Sequence, residues 1–404
     1  MDHRDTGTVI PVAQRRARRN SALENDERIL DAAVAMAADT GLDSLTMSGV
    51  ARLSGFTSGA MYSRYEYREE LIADMWVRRC APALRDLIVE AATYRRQPIS
   101  PERRAAFIAS CWSPTVEVQL AVEMCLIAHR VPELSEIIPG EVLSWLDEVG
   151  LAPADGVLSA DRSIDLVMVA GVLGYVVLHP FARELVGDVE RAVRVTEGPA
   201  LEQVGPAPAP MAASQRLAFE REDTIRNDLL AAAQIVVARS GVKRATLSRI
   251  GRVARLASAT VYGHYADRDE LIADILRIAQ VSNNDTDTRL DSFGDPLAMA
   301  AAMSGWLQPE AMVRRRLNQE TLIAAWHDPA IAAVFVEEEQ RSMQRVAQMF
   351  PEGLLDAETI LLVQRLSLLS INGSAILAEV MPSIAAFDWR PVIDLMVRTI
   401  LSGE

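Results

Sequence analysis

At 404 residues the chain is too long for one ordinary domain. Half its residues are hydrophobic and only 5% are aromatic, the profile of an Ala/Leu/Val-rich helical protein and not of a disordered one. A formal charge of −14 excludes a chain that coats nucleic acid without specificity, but leaves room for a local basic footprint.

Residues 1–24 read as a basic, disordered arm carrying Arg15, Arg16, Arg18 and Arg19, with no secretory pattern. From there Ile29, Leu30, Ala33, Met36 and Ala37 fall on one helical face. Gly41 breaks the pattern, a short helix starts near Thr46, and the turn Ser54-Gly55-Phe56 leads to a second short helix, 57–65, with Thr57 as its N-cap. This is helix-turn-helix spacing, and it places a first such domain at 25–74. Residues 75–197 read as a helical bundle. Its longest apolar run, Leu166 to Leu178, is shorter than the roughly 20 residues a membrane span needs. It reads as a helix buried on most sides, and no membrane association is expected. Residues 198–218 are rich in alternating Pro and Ala, which favours an extended, semi-rigid linker. Twenty such residues would reach about 60 Å. A second helix-turn-helix domain follows at 219–274 and a second helical bundle at 275–404; the fold class is all-α.

The second half repeats the first. At a shift of 200, Leu30, Gly41, Thr46, Ser48, Arg52, Ser58, Tyr62, Tyr65, Arg68 and the run Glu70 to Asp74 all recur without a gap. Glu123 to Pro132 echoes Glu320 to Pro329 at a shift of 197, and the helix carrying Gly171 echoes that carrying Gly373 at 202. Cys80, Cys111 and Cys125 have no metal or redox spacing and read as reduced thiols. His3, His129, His179, His264 and His327 are scattered, and no phosphate loop or nucleophile-base arrangement appears. No enzyme activity, metal or cofactor is expected.

The string Gly41 to Leu71 resembles the DNA-binding domain of the TetR family of transcriptional regulators. Thr46, Val50, Ala51, Gly55, Gly59, Met61, Tyr62, Tyr65, Arg68, Glu70 and Leu71 occupy its pattern positions. Thr246, Ile250, Val261, Tyr262, Tyr265, Arg268, Glu270 and Leu271 do so again in the second half. The resemblance implies a tandem protein, two units each with a three-helix reading head and a regulatory and dimerisation bundle, cytoplasmic, pairing within one chain as a pseudo-dimer. Self-association of whole chains is left open.

The implied partner is a double-stranded DNA operator. Its contacts would come from Thr46, Ser48, Thr57, Ser58, Gly59, Ala60, Tyr62, Ser63, Arg64 and Arg68 in the first head. In the second they would come from Thr246, Ser248, Ala257, Ser258, Ala259, Thr260, Tyr262, Gly263, His264 and Arg268. Met61, Val261, Tyr65 and Tyr265 would pack in the core. The heads differ: Arg255 stands at the turn glycine and Ala257 at the capping hydroxyl, while Asp267 with Glu270 makes a capping box where the first head has Tyr67. A non-palindromic operator is therefore expected.

The family's bundle helices correspond to Ile164–Leu178 with Ala182–Val195, and Ile360–Val380 with Pro391–Leu401. Gly171, Gly174, Gly373, Ser374 and Ala375 would let them approach closely. Scarce buried-looking charge suggests a hydrophobic effector (lipid, acyl thioester or aromatic) near Trp112, Met124, Trp145, Met168, Tyr175, Trp306, Trp326, Phe335 and Met343, releasing a repressor. The alternatives are a ligand-independent DNA-binding activator or scaffold and, behind it, a small-molecule enzyme on a helical bundle.

Overall fold

The computed structural model describes residues 12–152, 157–203, 205–211, 223–285, 296–349 and 355–402. Among these every regular element is helical. The chain divides into two compact units, Met1–Arg78 and Arg79–Glu404. The division is unequal because the first half's bundle, the linker and the entire second half share one body.

The first unit holds α1 (Val12–Thr40), α2 (Met47–Ser54), α3 (Ser58–Tyr62) and α4 (Arg68–Met75). α1 begins at Val12, ahead of the expected end of the arm at residue 24. Residues 1–11 lie outside the described residues. Arg64 pairs with Asp26 at 2.7 Å and Arg78 pairs with Glu27, fastening α1 to the segments beyond it.

The second unit opens with α5 (Ala81–Thr93), α6 (Pro101–Cys111), α7 (Val116–Ile127), α8 (Pro132–Glu148) and α9 (Ala160–Leu178). Then come α10 (Ala182–Leu185) and α11 (Val189–Val195). The segment 182–195 is thus not one helix: Gly187 adopts φ 71 between α10 and α11, where Arg365 fills the space a Cβ would need. The second half comprises α12 (Thr224–Ser240), α13 (Leu247–Ala254), α14 (Ser258–His264) and α15 (Arg268–Asp285). It ends with α16 (Pro296–Leu307), α17 (Met312–His327), α18 (Pro329–Met349), α19 (Ala357–Val380) and α20 (Arg390–Ser402).

The centre of this unit is the crossing of α9 and α19. Both are long and apolar enough to cross a membrane by length and composition, but most of their surface is buried in protein. They run antiparallel and touch backbone to backbone. A Cβ at Gly174 would overlap the Leu369 carbonyl, and one at Gly373 would overlap that of Ala170. Gly171, expected at the same crossing, has open space over its Cα instead.

Around this seam the repeat exchanges partners with itself. Arg130, just past α7, makes a two-pronged bond to Glu320 of α17 at 2.6 and 3.1 Å, both side chains almost fully buried. His327, at the end of α17, lies 3.7 Å from Glu123 of α7. Under the shift of 197, Glu123 maps to Glu320 and Arg130 to His327, so each pair is the image of the other. His129 also approaches Glu320, at 3.9 Å, but its ring is bonded to backbone. It is buried, with one ring nitrogen 3.0 Å from the Leu126 carbonyl and the other 3.0 Å from that of Ala238.

Buried charge is more plentiful than composition suggests. Asp165, Arg314, Arg315, Glu338 and Glu339 are all buried, and Asp165 is ringed by Arg95, Arg96 and Arg162. Such groups persist in an interior because their partners supply the hydrogen bonds water would have made. The linker, too, is held along its described length. Arg95 donates to the Gly198 carbonyl, Arg398 to Pro199 and Arg390 to Gly205, and the Met211 N–H donates to Ala301. Residues 212–218 of it lie outside the described residues.

Candidate nucleic-acid interface

Two helix-turn-helix elements are built by the same local chemistry. In the first, Thr46 caps α2 by accepting from the Gly49 N–H, and Thr57 caps α3 by accepting from Ala60. Each hydroxyl keeps its own O–H to donate. The turn is made by Gly55, φ 75, whose N–H closes α2. Beneath α3, Met61 and Tyr65 are buried, and the Tyr65 phenol donates to Asp74 at 2.6 Å. Burial first, and that carboxylate second, push the phenol's pKa well above its ordinary value. This locks the underside of α3 and leaves the opposite face free.

On that free face Thr57, Ser58, Gly59, Tyr62, Ser63 and Arg64 are exposed and Ala60 is half-buried; Tyr62 is 59% exposed. Thr46 and Ser48 are exposed at the start of α2. An aromatic ring held out in water beside a row of short polar side chains costs apolar exposure, unless a partner surface receives it. The two arginines are less free than expected. Arg64 is tied to Asp26 and its guanidinium lies 5.7 Å from the Phe56 ring centre; Arg68 bonds Glu69 at 2.8 Å and the Asp43 carbonyl.

The second element repeats this geometry 200 residues on. Thr246 caps α13 by accepting from Arg249, the Tyr265 phenol donates to Asp274 at 2.8 Å, and Val261 is buried. Tyr262 is again 59% exposed. Ser248, Ala257, Ser258, Ala259 and Gly263 are exposed, and Thr260, His264 and Arg268 half-buried. His264 faces Asp223 at 3.3 Å and Arg268 bonds Asp269.

The differences are physical as well. Arg255 takes the glycine's left-handed conformation, φ 58, a cost an L side chain pays against its own carbonyl. Ala257 leaves α14 without a side-chain cap. Asp267 accepts from the Glu270 N–H and so caps α15, while Glu270 reaches one residue past the cap to accept from Ala266; Tyr67 provides no cap, and Glu70 likewise accepts from Glu66.

Of the residues expected near an effector, Trp112 and Met168 line a cavity of ≈ 30 Å³. It is walled by α9 and α11 on one side and α19 and α20 on the other, and Gly171 opens onto it. Tyr175 packs against Trp112 with ring centres 4.7 Å apart and planes tilted by 56°. The others lie elsewhere. Met124 and Trp145 are in the core, and Phe335 packs on Phe181 at 5.3 Å. Trp306 lies under Arg314, Trp326 donates to the Val177 carbonyl, and the Met343 carbonyl accepts from Gln364. Sequence reasoning missed Ile164, Val167, Leu366, Leu369 and Leu395 in the same wall, since leucine at helical spacing looks alike in a core and in a cavity.

Cys80, Cys111 and Cys125 are buried, and burial raises the first two thiols to about 12 and the third further, so none is a ready nucleophile. Among the described residues no three His, Cys, Asp or Glu side chains converge as a metal site would require.

Residues 29–75 match the family described as "Bacterial regulatory proteins, tetR family". Over 72 residues the chain is 32% identical to the "Probable acrEF/envCD operon repressor" of Escherichia coli K12, and equally to that of strain O157:H7. The alignment takes in 18% of this chain and spans 32% of those relatives.

Proposed function

We propose that this chain, which carries a TetR-family DNA-binding domain at residues 29–75, is a sequence-specific transcriptional regulator acting as a repressor. The observation that carries the reading is the exposed face of α3. There a threonine-capped helix holds Tyr62 in solvent above a buried Tyr65–Asp74 lock, in the segment that matches the family. Such a face suits a major groove, with hydroxyls and helix N-termini on phosphates and the short residues 57–60 against base edges. Footprinting on the duplex upstream of its own gene tests this. Protection that Tyr62→Ala and Thr46→Ala weaken tenfold or more is expected; no protection at any concentration that saturates a known repressor would refute it.

The finer reading is a tandem regulator whose halves pair inside one chain. The exchanged pairs Arg130–Glu320 and His327–Glu123 support it, because reciprocal contacts are what a two-fold interface produces. A 44.2 kDa monomer binding one duplex in sedimentation is expected, and an obligate dimer counts against it. Divergence of the heads supports a non-palindromic operator read by half-sites roughly 34–36 Å apart; selection returning a symmetric inverted repeat would refute it. For the effector, the apolar wall of the α9–α19 cavity supports a hydrophobic ligand. The cavity has room for about two waters, so any larger ligand must part those helices. The site of action follows as the cytoplasm.

A further inference from the structure

We infer that the two reading heads divide the labour on DNA: the second head, residues 223–274, is the electrostatic anchor that supplies most of the phosphate binding. This rests on the DNA-binding reading above. Over matching positions the heads differ sharply in charge. Residues 25–74 carry four basic and nine acidic side chains, a net of −5, whereas 225–274 carry eight and five, a net of +3.

The excess is concentrated on one element. Arg249, Arg252 and Arg255 follow at three-residue intervals along α13 and its C-cap, and all are exposed; Lys243 and Arg244 stand exposed just before the helix. Arg244, Arg249, Arg252 and Arg255 make no ion pair among the described residues, so their charge is available. In the first head the same row reads Gly49, Arg52, Gly55. Side chains there would have to displace neighbours. A Cβ at 49 would sit 2.6 Å from the Met36 methyl and 2.8 Å from the Thr46 hydroxyl, and at 55 the Arg28 guanidinium is 3.2 Å away. In the second head the position of Met36 is taken by the shorter Val236.

Placement on the first helix of the motif decides what these cations read. That helix crosses the phosphate backbone, while the second lies along the bases. The base-facing helix α14 carries no arginine or lysine, only His264, which faces Asp223. Cations on α13 therefore add affinity and counterion release without sequence information. Arg255 repeats the point, accepting a left-handed backbone at a position where glycine would be unstrained. The first head, net acidic over 25–74 although Arg15, Arg16, Arg18 and Arg19 precede that stretch in α1, has Arg64 and Arg68 tied to Asp26 and Glu69 and contributes base contacts more than charge.

The test is the salt dependence of binding by the full chain, on the upstream duplex and on an unrelated duplex of equal length. With Arg244→Gln, Arg249→Gln, Arg252→Gln and Arg255→Gln combined, the slope of log K against log salt becomes shallower by about 3–4 on both duplexes. Between ~50 and ~200 mM salt the parent then loses about 100-fold more affinity than the variant. Arg52→Gln changes the slope by about 1 at most. An unchanged slope, an equal effect from Arg52→Gln alone, or a loss confined to the upstream duplex overturns the inference. If the combined variant melts early, Arg244→Gln with Arg249→Gln serves instead, with a change of about 2 expected. A parent that binds neither duplex refutes the DNA-binding reading itself, a result distinct from a parent that binds with the variant's slope.

Discussion

Three glycines in α9 and α19 look alike in sequence and should behave oppositely on substitution. Gly373→Ala puts a methyl onto the Ala170 carbonyl, and Gly174→Ala puts one onto that of Leu369. These are backbone atoms, so no rotamer change relieves the overlap; one helix must move by about 1 Å to restore contact distance. A gap of that size forfeits a quarter to a half of each dispersion contact along the seam. Buried apolar residues along both helices lose packing together. Overpacking of this kind costs about 3 kcal/mol, which in a unit of this size lowers the thermal midpoint by about 4 °C. Gly171→Ala is the control. Its Cβ meets open space, and the better helix propensity should stabilise by about 0.5–1 kcal/mol. Far-UV circular dichroism melts of the three variants read the result. Equal effects at 171 and 373, or a midpoint unmoved in Gly373→Ala, would refute the packing of α9 on α19 described above.

Repairing the second head's turn, with Arg255→Gly and Ala257→Thr, should stabilise it locally by about 1–2 kcal/mol. Slower amide exchange across 247–264 would show this, while unchanged exchange would mean the left-handed residue and the missing cap cost nothing. Glu320→Gln breaks the buried two-pronged ion pair with Arg130 and should destabilise by about 3–5 kcal/mol, measured as a shift in denaturant midpoint. His129 is held down at about 4, first by burial and then by Arg316. As pH falls the unfolded chain takes up this proton first, near 6.5. Stability is therefore full above about 6.5, falls by about 3 kcal/mol in all down to pH 4, and is flat below. His129→Gln should remove that part of the pH dependence, and an identical profile would show that another group carries it.

Much of each helix-turn-helix element was legible because its determinants are local. A threonine three residues before an N–H, the Asp267 cap on the Glu270 N–H, and a tyrosine nine residues ahead of an aspartate all act within two or three helical turns. The burial of Met61, Tyr65, Val261 and Tyr265 followed from the same short-range pattern. The cavity was not legible in this way. Trp112 and Met168 reach it, but Met124 and Phe335, equally apolar and equally spaced, are core. The expectation of few buried charges failed too, because Asp165 and Arg315 are held by partners distant in sequence, Arg95 and the Trp306 carbonyl among them.

The amino-acid order alone thus determined the helices, their caps, the two helix-turn-helix turns and the echo between halves, since each rests on contacts a few residues apart. The charge contrast between the heads was also written there, as Gly49 and Gly55 against Arg249 and Arg255. Only the tertiary structure decided which glycines meet a neighbouring backbone and that Arg130 would find Glu320 190 residues away. It alone decided that the chain divides after Arg78 and not at its midpoint. Those outcomes depend on how whole helices approach one another, and a backbone carbonyl across a seam leaves no mark in the local pattern of the helix it touches.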